Sequence, residues 1–269
     1  MADVEFDNTD LRDYKAGGIL EGKVAIVTGG SSGIGQAAAI AFAKEGAKVV
    51  IGFLGDEEGA LKTIQLIESY GGKAVAQSGD LREAANSSRL VQFALDSFGQ
   101  IDILVNNAGY QYPETSPLDL KDENILKTFE IKAFAMLYLT RAVLPHMKKG
   151  SRIINTASIN AYRGHSDLID YSGANGAIVS MTRSLARRLV REEIAVNGIA
   201  PGPIWTPLIP ETFGALYDDI GEGFGQDVPA GRPGQPYELA KAFVFLADPQ
   251  NSYITGQFLH INGGDYMSS

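Results

Sequence analysis

Tyr171 has the chemistry of a proton donor, but no positively charged residue follows it one helical turn later. A tyrosine hydroxyl has a pKa of about 10, so it transfers protons near neutral pH only when a nearby positive charge stabilises the phenolate. On a helix, the residue four positions later shares a face with the tyrosine and is well placed to supply that charge. In the stretch YSGAN (171–175) this residue is the neutral Asn175. Tyr171 is therefore either disabled as an acid or served by a cation from another element.

A glycine-rich stretch has the composition of a phosphate-binding loop. TGGSSGIG (28–35) follows the apolar run KVAIVT (23–28) and precedes a helical pattern. Glycines let backbone N–H groups approach a phosphate closely, and the N-terminus of the next helix favours its negative charge. The strand–loop–helix context predicts a dinucleotide site that uses Gly29, Gly33 and Gly35.

The choice between NAD and NADP stays open at this point. A carboxylate at the end of the second strand would bind the ribose 2′-hydroxyl of NAD, whereas a nearby arginine would bind the 2′-phosphate of NADP. Phe53 stands at the expected acidic position and Asp56 follows it in the sequence FLGD, while Ser31 and Ser32 carry no charge. The sequence therefore shows neither a clear carboxylate for NAD nor a clear arginine for NADP.

The elements that must position these residues alternate along the chain. Continuous apolar runs indicate strands that are buried on both faces, as in a parallel sheet. The predicted strands are 23–28, 47–53, 73–78, 101–106, 151–158, 194–200 and 257–262. The predicted helices are 33–45, 56–70, 82–98, 122–148, 168–191 and 236–247. This order predicts an α/β fold, a Rossmann-type doubly wound parallel sheet of about seven strands in a single domain.

The N-terminal residues and one internal segment differ in composition from the alternating strands and helices. Residues 1–20 are polar and are predicted to form an arm that lies on the domain or on a neighbouring subunit, and residues 21–269 form the dinucleotide-binding catalytic domain. The segment 201–235 is rich in Pro and Gly and too long for a plain connector. Such a segment predicts a lid over the site.

Charge and composition exclude several classes of partner. The net charge of −9 argues against nucleic acid, which would require a basic face. No apolar run approaches the roughly 20 residues of a membrane span, and the acidic N-terminus lacks an apolar signal core, so we expect no membrane partner and a cytoplasmic location. The segment 218–227 lacks EF-hand spacing and the three histidines are not grouped, so we expect no required metal.

Several motifs occur in an order that resembles one family. They are TGGSSGIG (28–35), NNAG (106–109), Ser158, Tyr171 and PGPIWT (201–206). In this combination the chain resembles the short-chain dehydrogenase/reductase family over roughly residues 20–265. The phrases at 231–248 and 252–264 resemble the branch of general-stress oxidoreductases and glucose/ribitol-dehydrogenase-like or aldehyde-reductase-like proteins. The resemblance implies an NAD(P)-dependent oxidoreductase that interconverts an alcohol and an aldehyde or ketone.

The resemblance also implies roles for individual residues. Ser158 would hydrogen-bond the substrate oxygen, and Tyr171, 13 residues later, would pass the proton. Hydride transfer to a carbonyl leaves an alkoxide, which needs both kinds of donor. The implied cofactor contacts are Gly29, Ser31, Ser32, Gly33, Ile34, Gly35, Phe53, Asp80, Leu81, Asn107, Ala108, Gly109, Thr156, Pro201, Gly202, Ile204 and Thr206. The candidates for the substrate pocket, each of which could equally be ordinary packing, are Gln111, Tyr112, Asn160, Tyr162, Trp205 and Leu208.

Two positions depart from the family pattern in a reciprocal way. The pattern would have Lys at 175 and Asn at 132, but this chain has Asn175 and Lys132. In the family fold the two helices lie side by side, so we infer a relocated ammonium that reaches Tyr171 or the nicotinamide ribose from the neighbouring helix. Lys132 and Asn175 therefore join Ser158 and Tyr171 as predicted catalytic residues.

Two other interpretations remain open. Lys132 could point to solvent and Asn175 could be a loss-of-function change, which would leave a non-catalytic or impaired dinucleotide-binding protein, a sensor or scaffold. The moved amine could instead mark a reductase with an altered substrate, such as an imine. The resemblance further implies a homotetramer, because the segments FAMLYLTRAVL (134–144) and AIVSMTRSLA (177–186) have apolar faces that one domain does not cover.

Overall fold

The protein folds around one seven-stranded parallel sheet, as the sequence predicts. The computed structural model describes Leu11 and residues 13–214, 216–217 and 220–267, with the backbone alone at 222. The strand order is β3-β2-β1-β4-β5-β6-β7. The strands are β1 (Val24–Thr28), β2 (Lys48–Phe53), β3 (Lys73–Ser78), β4 (Ile103–Asn106), β5 (Arg152–Thr156), β6 (Ala195–Pro201) and β7 (Phe258–Ile261). The order reverses between β1 and β4, and such a reversal opens a ligand crevice at the carboxyl ends of the strands.

Helices cover both faces of this sheet. The described helices are α1 (Gly33–Lys44), α2 (Glu57–Ser69), α3 (Ala84–Phe98), α4 (Asp122–Phe129), α5 (Ala135–Val143), α6 (Asn160–Arg163), α7 (Ile169–Leu189), α8 (Leu208–Phe213), α9 (Ile220–Gly223) and α10 (Pro236–Ala247). One buried apolar cluster includes Phe42 of α1 and Phe243 of α10. A second includes Leu139 of α5 and Leu189 of α7. The two clusters make the sheet a central layer, which explains why β1, β4, β5 and β6 are continuous buried runs.

The single helix predicted over 122–148 is interrupted in the structure. A π-helical turn, Glu130–Phe134, joins α4 to α5, and a short 3₁₀ turn, Leu144–His146, follows α5. Apolar periodicity does not reveal the π turn, because the apolar residues before it and after it each keep helical spacing and only the phase between the two groups changes. Such turns are frequent at functional sites, and this one contains Lys132.

The outer strands are less buried than the sequence predicts. β3 has exposed residues at both ends and half-buried residues between them, and all four residues of β7 are half-buried. Both strands lie at an edge of the sheet, where one side lacks a neighbouring strand. Apolar composition predicted the strands correctly but did not distinguish edge from centre.

The described part of the predicted N-terminal arm packs on its own domain. Leu11 is buried in the apolar cluster beneath α1 and α10. The carboxylate of Glu45 accepts hydrogen bonds from the Tyr14 hydroxyl (2.5 Å), the Gly17 amide (2.9 Å) and the Ile19 amide (3.2 Å). Residues 1–10 and 12, which complete the arm, lie outside the described residues. No helix in the described part of the chain is long and apolar enough to cross a membrane.

Candidate active site

A cavity of about 730 Å³ lies at the carboxyl ends of the strands and extends from the glycine loop to Tyr171. Most of the predicted site residues are on its wall. They are Gly29, Ser31, Ser32, Gly33, Ile34, Phe53, Leu81, Asn107, Ala108, Gly109, Gln111, Lys132, Thr156, Ser158, Asn160, Tyr171, Pro201, Gly202, Ile204, Thr206 and Leu208. Several described residues of the segment 201–235, among them Ile204 and Leu208, line one side of the cavity, and a β-bridge joins Ile204 to Gly234.

The glycine loop has the shape that a dinucleotide phosphate requires. Gly29 and Gly33 have positive φ angles of 63° and 54°. A Cβ added at Gly35 would lie only 2.1 Å from the carbonyl oxygen of Gly29, so no larger residue fits there without moving the backbone. This cradle, open to the cavity and followed by α1, fits a nicotinamide dinucleotide.

A buried threonine joins the glycine loop to the neighbouring strand. Thr28 Oγ1 accepts hydrogen bonds from the backbone amides of Asn107 (2.9 Å) and Ala108 (3.0 Å). The Asn107 side-chain amide donates to the carbonyl of Thr28 at 3.1 Å. These bonds link the ends of β1 and β4 and fix the two loops on either side of the crevice.

The end of the cavity beside β2 contains one carboxylate. Phe53, Leu54 and Asp56 line it together with the glycine loop. Asp56 Oδ1 accepts the amide of Gly59 at 3.0 Å and so caps α2. Asp56 is the one charged side chain among the described residues that line this end.

Ser158 and Tyr171 lie together at the opposite end. Ser158 Oγ accepts the amide of Asn160 at 3.1 Å, which fixes its position at the end of β5. Burial raises the pKa of Tyr171 above its usual value, and the nearby polar side chains of Asn175 and Ser158 act in the opposite direction. The pKa of Tyr171 is therefore raised overall, whereas the sequence led us to expect that a nearby ammonium would lower it. The phenol therefore stays protonated near neutral pH.

Lys132 extends into this end of the cavity from the π turn. Its side chain is buried, with 4% exposed, and Nζ donates to the carbonyl of Thr156 at 3.1 Å. Nζ lies 5.5 Å from the centre of the Tyr171 ring. Burial lowers the pKa of the Lys132 amine to about 8. A Cβ at Gly109 would lie 2.7 Å from Lys132 Cδ, so the glycine leaves the space that the lysine stem occupies.

Asn175 lies behind Tyr171 and not on the cavity wall. It is fully buried, and its Nδ2 donates to the backbone carbonyl of Tyr171 at 2.8 Å. Its Oδ1 has no hydrogen-bond partner within the described residues. Lys132 and Asn175 thus both approach Tyr171, one from the neighbouring helix segment and one from the next turn of α7.

Other predicted site residues also lie off the wall, for identifiable reasons. Gly35 is inside the first turn of α1, where it packs against Gly29. The Asp80 carboxylate is turned toward Arg82, with Nη2 to Oδ2 at 2.6 Å. Arg82 lowers the pKa of Asp80 through this hydrogen bond.

Aromatic pocket candidates are held elsewhere by aromatic packing. Tyr162 packs on His260 in a tilted arrangement, with ring centres 4.6 Å apart. Trp205 is buried against α8 and packs on Phe224 at 5.8 Å. Tyr112 packs on Tyr110 at 5.0 Å. Loop sequence alone does not determine these side-chain directions.

The cavity wall also contains polar residues outside the predicted set. They are Tyr110, Arg163, His165 and Glu211. The Tyr110 hydroxyl donates to Glu211 at 2.9 Å and Gln111 Nε2 donates to Thr212 at 2.9 Å, so the loop after β4 is bonded to α8. Position next to NNAG was a signal for Tyr110. No sequence signal identified Glu211.

Comparisons with known proteins identify the family of this chain. A family model described as enoyl-(acyl carrier protein) reductase matches residues 29–265. The oxidoreductase YhxC of Bacillus subtilis is 52% identical, over 93% of this chain and 86% of its own. The glucose and ribitol dehydrogenase of Daucus carota is 44% identical, over 93% of this chain and 87% of its own. A dehydrogenase/reductase from Sinorhizobium meliloti has a TM-score of 0.86 at 32% identity and covers 92% of this chain and 96% of its own.

The doubly wound sheet, the glycine cradle and the cavity define an NAD(P)-dependent oxidoreductase of the α/β class. The chain belongs to the short-chain dehydrogenase/reductase family.

Proposed function

We propose that this oxidoreductase interconverts an alcohol and an aldehyde or ketone, with Ser158 and Tyr171 at the reacting oxygen and Lys132 as the cation of the site. The observation that carries the proposal is the buried Lys132 amine, 5.5 Å from the Tyr171 ring and bonded to a backbone carbonyl. A lysine at a solvated surface would have no such position. Asn175 complements it, since its amide can supply hydrogen bonds without charge.

Ser158, Tyr171 and Lys132 each have a separate role in the transfer of one proton. A nicotinamide cofactor, when bound, would supply or accept the hydride. Ser158 and Tyr171 hold the carbonyl oxygen, and the Tyr171 phenol donates its proton to that oxygen as negative charge develops. The Lys132 ammonium then stabilises the phenolate that remains. Because burial favours the neutral phenol, this site suits carbonyl reduction near neutral pH and alcohol oxidation at alkaline pH.

Replacing Lys132 tests the proposal directly. Lys132→Ala should lower kcat/KM for carbonyl reduction by about 10²–10⁴, the usual scale for losing acid–base function. The basic limb of the pH–rate profile should also move upward, since the phenol would lose its stabilising cation. An unchanged kcat/KM with an unchanged profile would remove Lys132 from the mechanism.

Restoring the family arrangement provides the matched comparison. Asn175→Lys alone should perform poorly, because two ammonium groups would then share one buried volume. The double change Lys132→Asn with Asn175→Lys should recover activity. If the double variant is no better than either single one, the two positions do not exchange roles.

The raised pKa of Tyr171 and the neutral Asn175 favour a second candidate, a dinucleotide-binding protein with impaired turnover. A turnover screen separates the two candidates. Wild-type protein should oxidise NADH or NADPH with members of a panel of aldehydes, ketones, sugars and imines, or reduce NAD⁺ or NADP⁺ with sugars and polyols. The relative named for glucose and ribitol makes sugars and polyols, with the oxidised cofactors, the first choice. Cofactor binding without turnover on the whole panel would support the sensor or scaffold.

We also propose that the protein is a homotetramer. Phe134 and Leu137 expose 37% and 36% of their surface beside α7, and β7 is only half-buried at the sheet edge. These faces suit contacts between copies of the chain. Light scattering should give four chains at micromolar concentration, and a monomer would contradict the proposal.

A further inference from the structure

A buried hydrogen bond ties the helix before Lys132 to the helix that begins beside Tyr171. Thr128 Oγ1 donates to Asp170 Oδ2 at 2.7 Å, and both residues are buried. Thr128 belongs to α4, one helical turn before Lys132, and Asp170 immediately precedes Tyr171 in α7. We propose that Thr128 and Asp170 are positioning residues, which fix the Lys132 amine against the Tyr171 ring.

Asp170 is satisfied by two donors from two different elements. Its Oδ1 accepts the backbone amide of Tyr171 at 2.8 Å, and its Oδ2 accepts the Thr128 hydroxyl. The carboxylate lies in the first turn of α7, where the helix dipole favours negative charge. It forms no salt bridge within the described residues. One carboxylate therefore connects the backbone of Tyr171 to α4 at the point where the π turn begins.

Burying a carboxylate without a cation is costly, and an apolar pair could pack two helices equally well. A short directional bond adds a fixed distance and register, which apolar packing specifies less sharply. The need for register is greatest here, because the π turn lacks the regular hydrogen bonds of an α-helix and Lys132 lies within it. The pair Thr128–Asp170 anchors that turn on one side.

This inference rests on the proposed role of Lys132, and Thr128→Val tests it with little change of shape. We expect kcat for carbonyl reduction to fall about 10–100-fold, as for a misplaced catalytic group, with KM within about twofold. The basic limb of the pH profile should move upward, as in Lys132→Ala. Thr128→Ser keeps the hydroxyl and should restore both kcat and the profile.

Two further variants separate positioning from general packing and from charge. Thr140→Val removes another buried hydroxyl, on α5, whose contact is the Asn106 amide at 3.4 Å. It should leave kcat and the pH profile unchanged. Asp170→Asn removes the charge but keeps both contacts, because a threonine hydroxyl can accept as well as donate. It should retain kcat within a few-fold.

A measurement independent of turnover completes the test. An acylating reagent at pH 8.5, followed by mass spectrometry of the Lys132 peptide, reports how accessible the amine is. Labelling should be several-fold faster in Thr128→Val than in wild type or Thr140→Val. Equal labelling and equal kcat in the two valine variants would overturn the inference, as would an Asp170→Asn enzyme as slow as Thr128→Val. If wild type shows no turnover, the proposed function fails. The labelling rates still decide whether the Thr128–Asp170 hydrogen bond fixes the position of the Lys132 amine.

Discussion

The two ends of the cavity are built from different materials. The end beside the glycine loop consists mainly of backbone, and its shape depends on the absence of side chains at Gly29, Gly33 and Gly35. The end beside Tyr171 consists mainly of buried polar side chains, among them the Lys132 amine, whose pKa burial lowers to about 8. The difference predicts that adding a side-chain atom at a glycine should impair cofactor binding at the first end. At the second end, removing a polar atom should impair the reaction.

The largest effect is expected from removing the phenol oxygen. Tyr171→Phe should lower kcat for carbonyl reduction by an amount near the upper end of the range of about 10²–10⁴, and it should leave the cofactor dissociation constant within about twofold. Steady-state kinetics and a binding titration measure the two quantities. Tyr162→Phe is the control, because the Tyr162 hydroxyl has no partner within the described residues and lies off the cavity wall. A Tyr171→Phe enzyme as fast as this control would reject the assignment.

At the glycine end, adding a single carbon atom should be enough to weaken cofactor binding. Gly35→Ala places a Cβ against the Gly29 carbonyl and should weaken cofactor binding by about 3 kcal/mol, or about a hundredfold. Calorimetric titration of the folded variant measures this. Gly176→Ala adds the same carbon on α7 where no atom lies within 4 Å, and should bind the cofactor normally. Equal affinities in the two variants would show that backbone shape does not control this end.

The buried Lys132 should lower stability while it supports the reaction. Its pKa of about 8 lies below the ordinary 10.5, so the unfolded chain binds this proton more readily and stability rises as pH increases through that window. The full cost, about 3 kcal/mol, applies at pH 7. Allowing about 1 kcal/mol for the lost hydrogen bond to Thr156, Lys132→Met should be about 2 kcal/mol more stable than wild type at pH 7.

Urea unfolding at a series of pH values tests the sign of this effect. The advantage of Lys132→Met should shrink as the pH rises from 8 toward 10.5, because the folded wild type then no longer carries a buried charge and the unfolded chain begins to lose its proton as well. Lys127→Met replaces a half-buried lysine of α4, paired with Glu123 at the surface, and provides the comparison. A Lys132→Met protein that is less stable than wild type at pH 7 would show that the amine is not buried as a charge.

The smallest effect should come from Asp56, the one charged side chain among the described residues that line the glycine end. A carboxylate there should repel the 2′-phosphate of NADP, so Asp56→Asn should raise the ratio of kcat/KM for NADPH to that for NADH by about tenfold. Glu57→Gln removes an exposed charge from the next residue, which does not line the cavity. If both variants change the ratio equally, only the overall charge matters and Asp56 does not select the cofactor.

The same contrast explains which parts of the molecule the sequence could predict. The glycine cradle is a local property, since TGGSSGIG between a strand and a helix needs no distant contact to form. The strands followed from apolar runs, with β3 matching its predicted bounds of 73–78. At the other end, the partners of Tyr171 come from separate elements, and their approach depends on how α4 and α7 pack. The direction of the Tyr171 pKa was expected to be downward because the ammonium was considered without the burial that opposes it.

Side-chain direction in loops was the least predictable property. Trp205 lies in the motif PGPIWT, yet its ring packs against α8 while its neighbours Ile204 and Thr206 line the cavity. Tyr162 follows the Ser158 loop but packs on His260 of β7, about a hundred residues away in the sequence. Contacts between such distant residues leave no local pattern in composition or spacing.

The π turn at Glu130–Phe134 makes this stretch of chain intolerant of changes in length. Each helical residue advances the side-chain direction by about 100°, and the wide turn sets the phase between α4 and α5. Thr128 and Lys132 face α7, whereas Leu139 and Val143 of α5 fill the apolar cluster on the same side of the sheet. Deleting one residue between 129 and 135 would rotate one group relative to the other. Either the core or the amine would then be misdirected, so homologous chains that keep both should align through this turn without a gap.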